Sequence, residues 1–361
     1  MMARLMILFI LGGNLLLAEM CLANTGYVSK SDAGWMVDTV PYSINPPEQN
    51  GPVKIKISLD LLDINNISDH EESIGFTGAL KLTWIDPRSA FDPNVAGVDE
   101  KTYSGDFQIK ELSTSWYPQV VLLNENSLYE TGASILKVRP DGSSTLIQTI
   151  NAAAKTRMDL RLFPFDIQKL LIKFSIFGYN KEEMVLESDF VRVDLTATEL
   201  SLSEWKTIDF QYFVGETSAP ILGINKATST FNVEVVVKRK PVFVVRTIII
   251  PLLLIVFLSF CVFWLDIKAI QDRLNVSFIG LLTITAYQLV ISDILPHVGY
   301  FTLVHGLVSV SFIMVSLTIT INILMIQSVA KLPNLINLNY ACRWIFPILY
   351  TFSLLALYAY K

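Results

Sequence analysis

The chain has 361 residues, 52% of them hydrophobic and 17% charged, with a mean hydropathy of +0.47 and a formal charge of −5. That is too apolar for an ordinary soluble protein of this size and predicts a hybrid of water-exposed and membrane parts. From Pro241 onward six Lys/Arg stand against three Asp/Glu, a net of +3; residues 1–23 are neutral (Arg4, Glu19), so residues 24–240 carry −8. An acidic outer part enriches cations at its surface and suits neither nucleic acid nor anionic lipid.

Residues 1–23 have the form of a secretory signal: Arg4 gives the positive start, Leu5–Ala18 the apolar core and Cys21-Leu22-Ala23 a small-residue cleavage site. A retained amphipathic anchor is the other reading, disfavoured by the short core and its small-residue end. The cysteines are Cys21, Cys261 and Cys342. With the signal removed the outer domain holds no cysteine and no disulfide, which a domain of about 200 residues tolerates. No metal or redox spacing is present, and no cofactor is expected.

Residues 24–240 alternate as strands do. Val53, Ile55, Ile57, Leu59 and Leu61 are interleaved with Lys54, Lys56, Ser58 and Asp60, and the same period of two recurs at Phe76, Leu80, Leu82, Trp84 and at Phe231, Val233, Val235, Val237. Turn signals separate the runs: Asp86-Pro87, Asp92-Pro93, Pro140-Asp141-Gly142 and Gly178-Tyr179-Asn180. An extracellular antiparallel β-sandwich over residues 24–240 is predicted. Asn66-Ile67-Ser68 is a glycosylation sequon expected in an outer loop.

Composition changes at Lys238-Arg239-Lys240-Pro241, and a membrane domain of four helices is predicted over residues 241–361: about 242–264, 274–294, 300–326 and 344–360, the last marginal in length. A cleaved signal and four crossings put both the sandwich and the C-terminus outside. The inner loops then hold Lys268, Arg273, Lys331 and Arg343 and the outer loop no Lys or Arg, in keeping with the positive-inside rule. Pro251 falls inside the first span, where it is expected to kink the helix and free a carbonyl.

The second span carries an ordered stripe. Asn275, Ile279, Leu282, Ala286, Leu289 and Asp293 step by four, three, four, three and four, which places them on one helical face with Asp272 at its start. That face is polar or acidic at both ends and apolar between. Several copies around an axis would form a water-filled tube with carboxylate rings at its mouths and an apolar constriction that gates by dewetting. Packing against neighbouring spans is the usual fate of such apolar residues, but it does not explain the acidic ends. Asp272 can equally favour the helix macrodipole, and Asp293 can equally cap the adjacent loop.

Five stretches in order carry a family resemblance. Trp84-Ile85-Asp86-Pro87-Arg88, Trp116-Tyr117-Pro118 with Asn124, Phe163-Pro164-Phe165-Asp166-Ile167-Gln168, Arg239-Lys240-Pro241, and Asp272-Arg273-Leu274 followed by Ile294-Leu295-Pro296 resemble motifs of the pentameric ligand-gated ion channels, the Cys-loop receptor superfamily. The resemblance spans nearly the whole mature chain and implies a symmetric pentamer in the plasma membrane, with no enzymatic activity. It implies an agonist bound between subunits. It also implies a pore lined by the second-span stripe, with Asp272 setting charge selectivity. Arg239 is implied to pair with Asp166 and Asp69 at the domain boundary, and Pro296 with the loop His297–Tyr300 to receive the push.

The chain departs from the family at several places. The bridge cysteines would fall at Thr156 and Leu170, and loop C, roughly Val214–Thr228, has no cysteine pair. The aromatic cage is broken: the loop D position is Ala79 and the loop A position Leu123, while Phe177 in loop B stays aromatic. Tyr212 and Phe213 ahead of loop C complete that candidate set. Cation–π capture of a quaternary ammonium needs several aromatic faces, which argues against acetylcholine. Lys81 lies where amino-acid-gated members carry a basic residue toward the ligand carboxylate, with Arg139 beside it; a solvated strand face is the plain alternative. The resulting expectation is a homopentameric, cation-selective, ligand-gated channel whose partners are an extracellular small-molecule agonist, inorganic cations and membrane lipids, not nucleic acid. The rival is a non-conducting or anion-selective receptor of the same fold.

Overall fold

The computed structural model describes residues 45–47, 51–113, 115–127, 129–189, 202–218, 226–292, 294–295, 298–328 and 335–360. The expected signal segment, Asp293, Pro296, His297 and residues 219–225 of loop C lie outside the described residues.

Among the described residues ten strands form the outer part: β1 Val53–Ser68, β2 Ser73–Ile85, β3 Lys101–Ser104, β4 Val120–Leu122, β5 Glu130–Val138, β6 Ser143–Lys155, β7 Ile167–Ile176, β8 Met184–Ser188, β9 Trp205–Thr217 and β10 Thr228–Arg239. They make a six-stranded sheet of order β3-β5-β6-β2-β1-β8 and a four-stranded sheet of order β4-β7-β10-β9. Period-two alternation decides which face is inside. Ile55, Ile57, Leu59, Phe76, Leu80, Leu82 and Trp84 from one sheet are buried with Leu170, Ile172, Phe174, Phe231, Val233 and Val235 from the other. Phe76 meets Phe174 edge-on at 6.4 Å, and Phe174 stacks on Phe231 at 6.5 Å. The sandwich is antiparallel with one correction: β8 pairs parallel to β1, Met184 opposite Val53. The chain leaves β7 in one sheet and crosses to the edge of the other, so no hairpin dictates its direction.

The Asp86-Pro87 turn shows why its motif has those residues. The buried Asp86 carboxylate accepts from the Arg88 backbone N–H at 3.1 Å and from Nε and Nη2 at 2.9 and 2.8 Å. Gly142 has φ +82°, and a Cβ there would collide with the Asp86 carbonyl, so only glycine lets the two turns touch. Asn66 is exposed, but it lies within β1 opposite Gly75 rather than in a loop.

Four helices follow: α1 Val242–Trp264, α2 Ile270–Ser292, α3 Leu303–Ser328 and α4 Leu335–Tyr360. Pro251 is absorbed by a π-helical turn over Val245–Ile249 ahead of it. The carbonyl four residues before the proline, Thr247 O, takes a 2.7 Å hydrogen bond from the Tyr287 hydroxyl of α2. Three helix starts differ from expectation, that of α3 least: it begins at Leu303 rather than 300. Helix α2 begins four residues earlier, so Arg273 belongs to the helix and not to the inner loop. Helix α4 begins at Leu335 rather than 344. Its first turns are too polar to read as membrane, yet Asn339 and Arg343 are satisfied there by the Phe263 carbonyl at the end of α1, at 3.0 and 2.9 Å.

Candidate pore face, gating junction and outer cleft

Helix α2 is two-faced within the subunit. Arg273, Ser277, Ile284 and Ile291, stepping by four, seven and seven, are buried against the other helices. Gly280 sits so close to α1 that a Cβ would lie 2.5 Å from Ser259 Oγ. Asp272, Asn275, Ile279, Leu282, Ala286 and Leu289 all point away from the bundle, with Ile279 63% and Leu282 and Leu289 each 72% exposed. Large apolar side chains left uncovered along a helix that is anchored on its other side call for a further surface or an aqueous axis.

The anchoring of that helix rests on a residue to which the sequence assigned only loop charge. Arg273 is 1% exposed, and no carboxylate lies within ion-pair distance of it among the described residues. Its Nη2 donates to Asn322 Oδ1 at 2.6 Å and Asn339 Oδ1 at 2.9 Å, its Nε to Asn322 Oδ1 at 3.2 Å, and its Nη1 to the Leu265 carbonyl at 3.2 Å. Asn322 Nδ2 returns a 3.0 Å bond to Ser277 Oγ. One guanidinium thus joins α2, α3, α4 and the end of α1 at their inner ends. Asn322, inside an apolar run, was the signal in the sequence that something polar had to meet it.

At the other end, Arg239 lies where the sandwich meets the helices. It is 5% exposed; Nε donates to Asp166 Oδ1 at 2.8 Å, and Nη2 to Asp69 Oδ1 at 2.7 Å and Asp166 Oδ2 at 3.3 Å. Its guanidinium carbon is 3.9 Å from the Trp205 ring centre and 4.8 Å from that of Phe163, so aromatic faces cover what carboxylates do not. Burial by itself would lower the Arg239 pKa, but the hydrogen bonds it donates to Asp69 and Asp166 outweigh it and raise it. Gln168 fixes Asp166 by donating to Oδ2 at 2.6 Å while it holds the Asp159 carbonyl at 2.7 Å. The same loop reaches the helices: Tyr300 OH accepts from Leu160 N–H at 3.0 Å, and Leu303 N–H donates to the Arg161 carbonyl at 2.9 Å. At the base of this loop, where the family bridge would stand, Thr156 Oγ1 accepts from Leu171 N–H at 3.0 Å and donates to the Lys169 carbonyl at 3.4 Å. Leu170 is fully buried in the core.

The expected ligand residues fall into two groups. Leu123 and Phe213 line one cleft of about 460 Å³ on the outward face of the four-stranded sheet. Phe177 is exposed just past the end of β7. Tyr212, next to Phe213 but on the opposite strand face, stacks on Phe231 at 6.1 Å. Burial, with the Asp60 carboxylate adding to it, pushes its phenol up to about 12. Ala79 and Lys81 on β2, and Arg139 just after β5, belong to the other sheet. Both basic groups have acids: Lys81 is 3.9 Å from Asp189, and Arg139 is 3.7 Å from Glu100.

Comparison with known proteins bears on these regions together. Residues 39–245 match the family model for the neurotransmitter-gated ion-channel ligand binding domain, and residues 248–337 that for the neurotransmitter-gated ion-channel transmembrane region. The chain is 25% identical over 286 residues to a proton-gated ion channel of Gloeobacter violaceus, covering 79% of this chain and 76% of that protein. It is 26% identical to the human gamma-aminobutyric acid receptor subunit rho-3 and to pH-sensitive chloride channel 2 of Anopheles gambiae, covering 77% and 70% of this chain. It spans 59% and 42% of those two animal relatives.

Proposed function

The chain belongs to the neurotransmitter-gated ion-channel family, the pentameric ligand-gated channels, and on that premise we propose that it forms a homopentameric, cation-selective channel opened by an extracellular small molecule bound between subunits. Members of the family are plasma-membrane channels with an extracellular ligand-binding domain and four transmembrane helices, and they are not enzymes. In this reading residues 1–23 are the signal peptide, 24–240 the binding domain and 241–361 the channel domain, and Asn66 carries the glycan.

The observation that carries the proposal is the exposed stripe on α2, opposite a face pinned by Arg273. Five copies of Ile279, Leu282, Ala286 and Leu289 make apolar rings narrow enough to exclude hydrated ions, and a small helix tilt rewets them. Asp272, exposed near the inner end, adds a ring of five carboxylates that draws cations and repels anions. Agonist binding shifts the closed–open equilibrium by its differential affinity for the two states. The Arg239 cluster, with the loop that reaches Tyr300 and Leu303, passes that shift to the helices, and Pro296 receives it.

Two-electrode voltage clamp of oocytes expressing the full chain, with protons and gamma-aminobutyric acid first in the ligand panel, tests conduction. Cysteines placed along the stripe should react with water-soluble thiol reagents, and cysteines on the Ser277–Ile284 face should not; the reverse pattern rules out the pore. A second reading, an anion channel, is favoured by the kinship to a gamma-aminobutyric acid receptor and a chloride channel. Reversal potentials in asymmetric NaCl separate the two, and Asp272→Ala should move the reversal potential toward chloride only if Asp272 faces the axis.

A further inference from the structure

We infer that the cleft on the outward face of the four-stranded sheet is a subsite for a small organic monocarboxylate, with Lys173 as its counter-ion. The inference rests on reading this domain as ligand-binding, and it names the class of ligand. Sheet pairing builds the site: Lys173 of β7, Asn232 of β10 and Phe213 of β9 lie in one cross-strand row, and Ser175, Thr230 and Gly215 form the next. The lining also includes Leu123, Leu171 and Thr217.

The charge pattern is what singles out Lys173. Two nearby lysines have acids: Lys169 is 3.3 Å from Glu234, and Lys181 is 2.8 Å from Glu216 at the rim of the cleft. Directly opposite Lys173 stands Asn232, a neutral amide already donating to Thr230 Oγ1 at 3.1 Å. Lys173 is half-buried in the cleft wall and has no side-chain partner among the described residues. A half-buried lysine in a cleft wall, with no anion beside it, is a group that a ligand carboxylate can engage through charge-assisted hydrogen bonds. Thr217, two cross-strand rows along the same cleft, offers a hydroxyl donor. The apolar walls, Leu123, Leu171 and Phe213, suit a short hydrocarbon body. A dianion fits less well, since one lysine balances one charge and the Glu216 carboxylate sits at the rim. Gly215 keeps the floor open: a Cβ there would stand 3.1 Å from Asn232 Nδ2.

The test uses the purified full-chain oligomer in detergent and three molecules of one shape: butyrate, butyramide and butylamine. Calorimetric titration should show butyrate binding at least about tenfold more tightly than either of the others, as expected for one charge-assisted contact. Lys173→Met should weaken butyrate by about tenfold or more, Lys173→Arg should stay within a few-fold of wild type, and both should unfold near the wild-type temperature. Equal binding of butyramide, an unchanged affinity in Lys173→Met, or no butyrate binding up to tens of millimolar would each overturn the inference. Spontaneous current from Leu282→Ser, measured separately, reports on the channel reading whichever way the binding result falls.

Discussion

Among the described residues two arginines are nearly inaccessible, one at each end of the first membrane helix, and they are satisfied in different ways. Arg239, at the junction with the sandwich, is neutralised by Asp69 and Asp166 and covered by Trp205 and Phe163. Arg273, at the inner end, meets neutral acceptors: the oxygens of Asn322, Asn339 and Leu265 and the Met325 sulfur. The contrast follows from position. At a domain boundary near water two carboxylates can be afforded, and an ion pair between separately moving segments can be traded or lengthened during a transition. Inside the bilayer a carboxylate would add its own desolvation cost, whereas amides and a carbonyl solvate the cation at no net charge. The first arrangement suits a coupling element and the second a fixed pivot.

The largest effect is expected from breaking the junction. Arg239→Gln leaves two adjacent carboxylates uncompensated, a perturbation of about 3–5 kcal/mol. It should cut agonist-evoked current by more than tenfold while surface biotinylation still detects assembled protein. Normal currents would end the coupling idea. Asp166→Asn should act more strongly than Asp69→Asn, because the Asp166 side chain is 2% exposed against 19% for Asp69.

Removing the pivot should be felt first in stability. Arg273→Met orphans two amide oxygens at about 1–3 kcal/mol each, so the detergent-solubilised oligomer should unfold at a lower temperature. Arg273→Lys should fail to restore it, because a single ammonium cannot span the fork of acceptors. If Arg273→Met unfolds like wild type but abolishes current, the division into coupler and pivot is wrong. Selectivity offers a sharper version: Arg273→Met should leave the reversal potential in place and Asp272→Ala should move it.

Smaller effects come from the loop base. Thr156→Val removes two hydrogen bonds at the site of the absent bridge and should cost about 1–2 kcal/mol by chemical unfolding of the outer domain. The buried phenols are a milder probe. With the Tyr129 and Tyr212 pKa raised to about 12, chiefly by burial, the stability they contribute is complete below pH 10 and declines as pH climbs toward 12. Tyrosinate absorbance that rises fully by pH 10.5 with the fold intact would contradict that burial.

The sandwich, the four spans and the α2 stripe were legible in the residues because each depends on a local period: two for half-buried strands, 3.6 for helices, and a run long enough to cross a bilayer. Legible also, through motifs, was the trio of Arg239, Asp69 and Asp166. Helix boundaries were less so. The inner turns of α4 read as loop because Asn339 and Arg343 are polar, and hydropathy has no way of knowing that Phe263 O waits for both.

By itself, then, the sequence determined the layers, the inward faces and the side of α2 left bare, since those follow from spacing along one segment. Only the tertiary structure decided which polar groups meet. It set Arg273 among three other helices, closed the loop at Thr156 without sulfur, and turned Tyr212 and Phe213 to opposite faces. It also placed Asn232 rather than an acid across from Lys173. A charge's partner is set by strand register and helix contact between residues far apart in the chain, and no local pattern encodes that distance.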